Sequence, residues 1–286
     1  MPFDPRVTPA RPDLAAAHLA DRVTAPRYAE GVAARVIEGL APLRRQPRPD
    51  AGLDTEALHG EAITVYDEDE EGWAWVQLAE DGYVGYMPVS AILKGVRPER
   101  THRVAALRTF VYPGPSIKEP PLAWLSFGTQ VRIEREIEER GRRFGVLDTG
   151  AAIVMTHLGA IDDLAEDPVA VAERFLGVPY LWGGKTSLGI DCSGLVQTAL
   201  AACGIGAPRD SDQQEAALGV AVGLDPEDWR RGDLLFWPGH VAFVRDEATM
   251  LHANAHTMAV AIEPTAAALD RIEAAGTALR AVKRIA

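Results

Sequence analysis

Residues 179–203 constrain the fold more than any other part of the chain. Pro-Tyr-Leu-Trp-Gly-Gly is followed by a glycine-bearing loop and then by Asp191-Cys192-Ser193-Gly194, which opens an apolar segment. The apolar residues recur at the spacing of one buried helical face: Leu195, Val196, Ala199, Leu200 and Cys203. Gly204 stands where a C-terminal cap is expected. The pattern predicts a helix that begins at Cys192, where free backbone N–H groups and the helix dipole favour a thiolate over a thiol.

The two cysteines are expected to be two free thiols. Cys203 lies eleven residues after Cys192, which is roughly 16 Å along a helix. A disulfide needs Cα atoms within about 7 Å of each other. Cys203 falls on the apolar stripe and is predicted to be buried. Cys192 has polar and glycine neighbours, and on this observation alone a functional thiol and a structural one both stay open.

The overall charge argues against a nucleic-acid partner. The chain has 286 residues, which suggests two or three domains, and its net charge of -12 is not offset by any basic block. No segment carries enough apolar residues to span a bilayer, so no membrane partner is expected. Asp4, Arg6, Arg11 and Asp13 interrupt the apolar run that a signal peptide requires. With two unpaired cysteines, these features predict a cytoplasmic protein. Export by another route and the oligomeric state stay open.

Turn and strand signals divide the chain into four parts. Residues 1–24 are predicted to form an arm, proline-rich at first and then with a helical patch at 14–23. Residues 25–97 hold short strand patterns separated by turn signals, which is typical of a small β-barrel. A weaker version of that pattern predicts a second barrel at 98–164. Residues 165–286 begin with helices and continue as an antiparallel sheet, which is typical of an α+β domain.

Two histidines are predicted to meet on one face of this sheet. Residues 240–244 and 249–252 are strand patterns that form a natural hairpin. If its turn is centred on Asp246, His240 faces His252, and directly opposed residues have Cβ atoms about 5 Å apart. Two imidazoles near a helix-terminal thiol form the nucleophile, base and orienting group of covalent catalysis.

Each histidine alone has a simpler interpretation. His240 follows Pro-Gly and could be a turn residue, whereas His252 could be a buried histidine with satisfied hydrogen bonds. His252 and His256 are four residues apart, as in a helical metal pair, but the segment has strand character and no third ligand is evident. A Cys-His-His zinc site that includes Cys192 also stays open. No metal and no other cofactor are predicted.

The C-terminal part of the chain resembles the NlpC-type cell-wall cysteine peptidases. Four motifs carry the resemblance, with His252 twelve residues past the first histidine: Pro179-Tyr180-Leu181-Trp182-Gly183-Gly184, Asp191-Cys192-Ser193-Gly194-Leu195-Val196, Gly232-Asp233-Leu234-Leu235-Phe236 and Gly239-His240-Val241-Ala242-Phe243-Val244. It covers about 165–286 and implies a circularly permuted papain-like fold. It implies Cys192 as the nucleophile, His240 as the base and His252 as the group that orients it. Tyr180 is implied as a donor to the oxyanion, and an aromatic wall residue is the alternative.

The two upstream barrels resemble bacterial SH3-like domains. Tandem barrels before such a catalytic unit resemble the branch that cleaves the γ-D-glutamyl to diamino-acid bond of peptidoglycan peptides with a free N-terminal L-alanine. In that branch the first barrel closes one end of the cleft, and acidic and tyrosine side chains hold the peptide amine. The resemblance implies a substrate-binding set in this chain: Glu61, Tyr83, Tyr86, Asp191, Ser193 and Ser211.

Within that set some assignments have alternatives. A buried ammonium requires a carboxylate partner, which favours Glu61 and Asp191, although Glu61 could also be an ordinary exposed acid. Tyr86 stands where such barrels place a core aromatic, and this favours Tyr83 as the ligand. Ser211 could simply cap a turn.

The predicted function is therefore that of a cytoplasmic cysteine endopeptidase that releases L-Ala-D-Glu during cell-wall peptide recycling. The reaction is acyl transfer through Cys192 to water. Two alternatives stay open: a wall-peptide binding module with an idle catalytic domain, and an amidase or acyltransferase with the same chemistry. A lowered pKa of the Cys192 thiol is expected for the enzyme. The identity of the diamino acid is not determined.

Overall fold

The computed structural model describes residues 3–96 and 99–285. The chain folds into two compact units, Met1–Asp163 and Leu164–Ala286. The first unit is built almost entirely of strands, whereas the second combines helices with a sheet. Among the described residues, the longest helix has eleven residues, and none is long and apolar enough to cross a bilayer.

The first ten strands form the N-terminal segment and the first barrel. They are β1 (Ala10–Arg11), β2 (Leu14–Ala16), β3 (Arg27–Ala29), β4 (Val32–Val36), β5 (Leu40–Arg44), β6 (Leu53–Leu58), β7 (Ala62–Glu68), β8 (Trp73–Leu78), β9 (Val84–Pro88) and β10 (Ile92–Lys94). Strands β1–β3 form a small sheet, and the other seven form a sheet in the order β10-β4-β7-β8-β9-β5-β6.

The helical patch predicted at 14–23 is wrong in its first part. Strand β2 occupies Leu14–Ala16 with all three side chains buried, and only Ala17–Leu19 form a single 3-10 turn. Leu14 packs in a cluster with Trp75 and Val84 of the barrel. Tertiary packing of this segment therefore overrides the helix propensity of its alanines.

The strands predicted from alternating apolar residues lie at the centre of the first barrel. Strand β8 pairs antiparallel with β7 on one side and with β9 on the other. Alternate residues of β7, such as Ile63 and Val65, point into the core, as a half-buried strand requires. This core is a single buried cluster that includes Leu43, Val76 and Met87.

A second set of strands follows in the same unit. It comprises β11 (His102–Val104), β12 (Arg108–Val111), β13 (Ala123–Ser126), β14 (Gln130–Val131), β15 (Arg135–Glu139), β16 (Arg142–Val146), β17 (Ala152–Val154) and β18 (Leu158–Ala160). These strands form three small sheets, β14-β11-β18, β12-β13 and β15-β16-β17. They enclose a separate cluster around Val104, Leu125 and Ile153, as expected for a second small barrel.

The second unit is an α+β fold, as predicted. Its helices are α1 (Pro168–Glu173), α2 (Cys192–Ala202), α3 (Ser211–Ala217) and α4 (Thr265–Ala274). Its strands are β19 (Lys185–Thr186), β20 (Gly189–Ile190), β21 (Val220–Val222), β22 (Leu234–Trp237), β23 (His240–Val244), β24 (Thr249–Asn254), β25 (Ala259–Pro264) and β26 (Ala281–Arg284). Six of these strands form an antiparallel sheet in the order β21-β26-β22-β23-β24-β25.

Helix α2 packs against the middle strands of this sheet. It contacts β23 and β24, which carry the two histidines, and it also contacts α1. Leu195, Val196 and Leu200 are buried, as the helical spacing predicts, and the chain leaves the helix at Gly204 with a φ of +78°. Cys203 caps the helix and is only half-buried, so its predicted burial is wrong. It lies one residue past the last helical residue, where the buried face ends.

Candidate active site

Cys192 is the first residue of helix α2, where the sequence predicts it. The residue before it, Asp191, has extended backbone angles and caps the helix by accepting the Gly194 N–H at 2.7 Å. The Cys192 side chain is buried, with 6% of its surface exposed. The thiol therefore sits at the positive end of the helix but with little access to water.

A buried arginine that the sequence analysis did not single out supports this helix start. Arg209, which is 1% exposed, donates from its two terminal nitrogens to the two carboxylate oxygens of Asp191 at 2.9 and 2.7 Å. It also donates to the Ser193 hydroxyl at 2.9 Å and to the Gly184 carbonyl at 3.2 Å. A buried carboxylate at position 191 requires such a partner, and the polar segment after the cysteine helix was the available signal.

The contacts of Asp191 bear on its predicted role as a substrate ligand. Its two oxygens accept from Arg209, from the Gly183 and Gly194 N–H groups and from the Ser193 hydroxyl. A carboxylate offers about four lone-pair sites, so these donors already saturate it. A direct contact between Asp191 and a peptide ammonium stays a prediction, and it requires one of these donors to give way.

The predicted contact between the two histidines is present in the second unit. His240 Nε2 lies 2.8 Å from His252 Nδ1, and the ring centroids are 5.0 Å apart. His252 is 1% exposed, whereas His240 is half-buried beside the Trp237 ring. The two imidazoles are therefore joined by a hydrogen bond, as an orienting group and a base would be.

The strand register that brings them together differs from the predicted one. Phe243 pairs with Leu251 and Val244 with Met250, so the hairpin is centred on Glu247 rather than on Asp246. Five residues, 245–249, separate the last two paired residues, and within them the Asp246 carboxylate accepts the N–H groups of Ala248 and Thr249. His240 and His252 are thus diagonal neighbours. They remain on one face because a shift of two residues preserves the alternation of side chains.

Glu263 and Arg271 extend this arrangement, and sequence reasoning missed both. His252 Nε2 lies 2.6 Å from Glu263 Oε2, and an Arg271 nitrogen donates to the same oxygen at 2.6 Å. Glu263 is on β25 and Arg271 is on α4. The strand pattern at 259–263 was the available signal, since pairing of β24 with β25 places Glu263 on the same face as His252.

Comparison with known proteins identifies the architecture. Residues 177–269 match the NlpC/P60 family, and residues 43–92 match the bacterial dipeptidyl-peptidase SH3 domain. The chain carries an NlpC/P60 domain and, ahead of it, an SH3 domain of this type. It is a cysteine peptidase with an SH3-like domain ahead of the papain-like NlpC/P60 domain, and the predicted fold class is confirmed.

Three relatives illustrate the extent of the similarity. A γ-D-glutamyl-L-lysine dipeptidyl-peptidase from Bacillus cereus is 28% identical over 241 residues, which is 74% of this chain and 70% of the relative. Dipeptidyl-peptidase 6 from Lysinibacillus sphaericus is 28% identical over 237 residues, or 77% of this chain and 86% of the relative. A crystal structure of an NlpC/P60 family protein from Bacillus cereus shares the fold with a TM-score of 0.72 at 24% identity, covering 88% of this chain and 99% of that one.

Burial has the largest effect on the pKa of the Cys192 thiol. It raises the pKa of the Cys192 thiol to about 12, with a further contribution from the negative charge of Asp191. Hydrogen bonds from the Val241 and Ser193 backbones and the charge of Arg209 act in the opposite direction but do not outweigh it. The expected lowering of the thiol pKa by the helix terminus is therefore wrong for the unliganded protein.

Burial also holds His240, His252 and Tyr180 in their neutral forms. Burial lowers the pKa of His240 to about 3, assisted by His252 and the charge of Arg271. Burial also lowers the pKa of His252, although Glu263 opposes the effect. Tyr180 is half-buried, and burial together with the negative charge of Asp191 raises the pKa of its phenol. Tyr180 thus keeps its proton and can donate a hydrogen bond, as its predicted oxyanion role requires.

We expect alkylation of Cys192 to report the raised pKa directly. Because the thiolate forms only as pH approaches the thiol pKa, the rate with iodoacetamide should be low at pH 7 and still rising above pH 9. Mass-spectrometric labelling of a Cys203→Ala variant would follow Cys192 alone. A rate that levels off below pH 7 would instead indicate a preformed thiolate–imidazolium pair.

Three of the remaining predicted ligands, Glu61, Tyr83 and Tyr86, lie in the first barrel. Glu61 and Tyr83 are buried, and Tyr83 belongs to the core cluster of the first barrel. Tyr86 is only half-buried, and its hydroxyl accepts from Arg11 at 3.3 Å. The expectation that Tyr86 is the core aromatic is therefore wrong, and with it the reason for preferring Tyr83.

Two serines of the predicted set lie in the second unit. Ser193 is buried and bonded to Asp191 and Arg209, and Ser211 is the first residue of helix α3. The buried Gln214, also missed from the sequence, donates to the carbonyl groups of Ser193 and Pro208. Within residues 3–96 and 99–285, no group of three or more histidine, cysteine, aspartate or glutamate side chains is arranged to hold a metal ion.

Proposed function

We propose that the chain hydrolyses the bond between γ-D-glutamate and a diamino acid in peptidoglycan-derived peptides that carry a free N-terminal L-alanine, releasing L-Ala-D-Glu. The hydrogen-bonded pair His240–His252, in the unit that holds Cys192 at the start of α2, carries this proposal. A relative named for cleavage of γ-D-glutamyl-L-lysine, similar over 74% of this chain, supports the choice of bond. A cytoplasmic location and a role in recycling belong to the same proposal.

The chemistry proceeds by acyl transfer. Because Cys192 is a thiol and His240 a neutral imidazole in the unliganded protein, His240 takes the thiol proton as the sulfur attacks the γ-carbonyl carbon. Backbone N–H groups at the start of α2 and the Tyr180 hydroxyl stabilise the oxyanion. His240 then returns the proton to the leaving amine of the diamino acid. Water, deprotonated by the same imidazole, hydrolyses the thioester and frees Cys192.

Recognition of the free amine distinguishes this proposal from its alternatives. Glu61 is proposed as the carboxylate partner of the ammonium group, and its burial makes such a pair sensitive to loss of charge. Breaking a buried ion pair costs about 3–5 kcal/mol, which corresponds to a loss of roughly 150- to 5,000-fold in kcat/KM. The second unit also fits an amidase or acyltransferase, which would not require the free amine.

A peptide panel tests the proposal. We expect L-Ala-γ-D-Glu-L-Lys and L-Ala-γ-D-Glu-meso-diaminopimelate to be cleaved after glutamate, and their N-acetylated forms to be cleaved roughly 100-fold more slowly or worse. The α-linked isomers serve as matched controls for the γ-linkage. Equal cleavage of free and acetylated peptides would favour the amidase or acyltransferase. Binding of the free peptides without cleavage would favour the idle binding module.

A further inference from the structure

We propose that Glu263 is a positioning residue that, through His252, determines which ring nitrogen of His240 is free to act as the base. The inference rests on the proposed function and adds a residue to its machinery. Glu263 does not act on the substrate. Glu263 acts through two hydrogen bonds, from Glu263 to His252 and from His252 to His240, which is the base in the proposed mechanism.

The contacts form a continuous chain from helix α4 to β23. An Arg271 nitrogen donates to Glu263 Oε2 at 2.6 Å, and the same oxygen lies 2.6 Å from His252 Nε2. His252 Nδ1 then lies 2.8 Å from His240 Nε2. His252 is 1% exposed and the Glu263 side chain is 17% exposed, so water competes little for the central bonds.

The direction of each hydrogen bond follows from the carboxylate at one end. A carboxylate only accepts, so His252 Nε2 must carry a proton. Burial keeps His252 neutral, and its Nδ1 therefore has a free lone pair that accepts from His240 Nε2–H. A neutral His240 that is protonated at Nε2 has its lone pair on Nδ1. The chain thus leaves His240 Nδ1 as the basic nitrogen.

The negative charge of Glu263 and the positive charge of Arg271 act together on the protonation of His240 and His252. The groups that face His252 are His240 from β23, Glu263 from β25, Arg271 from α4 and the more distant His256. Glu263 raises the pKa of His252, whereas Arg271 lowers the pKa of both His252 and His240. Because Arg271 is bonded to Glu263, the carboxylate orients His252 without making the imidazole pair basic enough to hold an extra proton.

Substitutions at Glu263 test whether this residue determines the tautomer of His252 or only stabilises the fold. We expect Glu263→Leu to lower kcat by about 10- to 100-fold, because it removes the acceptor that determines the tautomer, with little change in KM. Glu263→Gln should stay within about fivefold of the wild type. Arg271 can only donate, so it holds the amide oxygen where that oxygen still accepts from His252. Glu273→Leu, at an exposed position of helix α4, which also carries Arg271, is the control and should leave kcat unchanged.

Two further readouts do not depend on stability. In long-range nitrogen–proton NMR spectra of histidine-labelled protein, His240 and His252 should both be protonated at Nε2 in the wild type and in Glu263→Gln. This pattern should be lost in Glu263→Leu. Arg271→Met removes a charge that lowers the pKa of His240, so the acidic limb of kcat/KM should move to higher pH.

The outcomes separate this inference from the proposed function. Wild-type protein that cleaves none of the peptides refutes the proposed function, while the NMR pattern, which needs no substrate, still tests the tautomers. Wild-type kcat in Glu263→Leu overturns the inference, as does protonation of His252 at Nδ1 in the wild type. Equal losses in the leucine and glutamine variants with unchanged tautomers also overturn it. If Glu263→Leu does not fold, the wild-type and Glu263→Gln spectra decide.

Discussion

Replacement of Cys192 by alanine is expected to lower kcat for the γ-D-glutamyl peptide by at least about 10⁴-fold while peptide binding persists. The sulfur is the only protein atom that forms a bond to the carbonyl carbon in the proposed mechanism. Removing it leaves hydrogen-bond donors and binding contacts but no covalent route. The peptide should still bind, because the mechanism assigns recognition of its amine to other side chains. Hydrolysis by chromatography and binding by calorimetry measure the two effects separately.

The second cysteine provides the control for this experiment. Cys203 lies at the opposite end of α2 and is half-buried, so Cys203→Ala should retain nearly full activity. Retained turnover in Cys192→Ala would place the nucleophile elsewhere and refute the assignment. Loss of binding as well as turnover would show that the alanine variant is disrupted beyond the missing sulfur.

Replacement of Arg209 by methionine is expected to destabilise the second unit by about 3–5 kcal/mol. Arg209 and Asp191 are 1% and 6% exposed, and the substitution leaves the Asp191 charge buried without its main partner. Asp191 also caps α2, so the helix start that carries Cys192 should loosen and activity should fall. Amide hydrogen exchange along α2 measures this opening within its own unit, independently of the barrels.

Two controls test whether the buried charge is the cause. The double variant Asp191→Asn with Arg209→Met removes both charges and should lose less stability than Arg209→Met alone. Arg231→Met breaks a pair with Asp167 in which both side chains are 40% exposed, and it should cost no more than about 1 kcal/mol. Equal losses in the Arg209 and Arg231 variants would contradict a special role for the buried pair.

The local pattern around Cys192 was predictable because it depends on neighbours in the chain. Helical spacing and the cap at Asp191 are short-range features, and the helix begins at Cys192 as predicted. The contact between His240 and His252 was also predicted, although from the wrong register. It survived because the side-chain alternation of a strand is unchanged by a shift of two residues.

What the sequence by itself determined is thus the fold class, the capped helix that begins at Cys192, and the pairing of two imidazoles. Tertiary structure alone decided that Arg209 would neutralise Asp191, that Glu263 would reach His252, and that Tyr83 rather than Tyr86 would enter the barrel core. It also decided that burial would outweigh the helix terminus and raise the pKa of the Cys192 thiol. The physical reason is that helices and turns are specified by adjacent residues, whereas burial and the partners of buried charges depend on segments that meet only after folding.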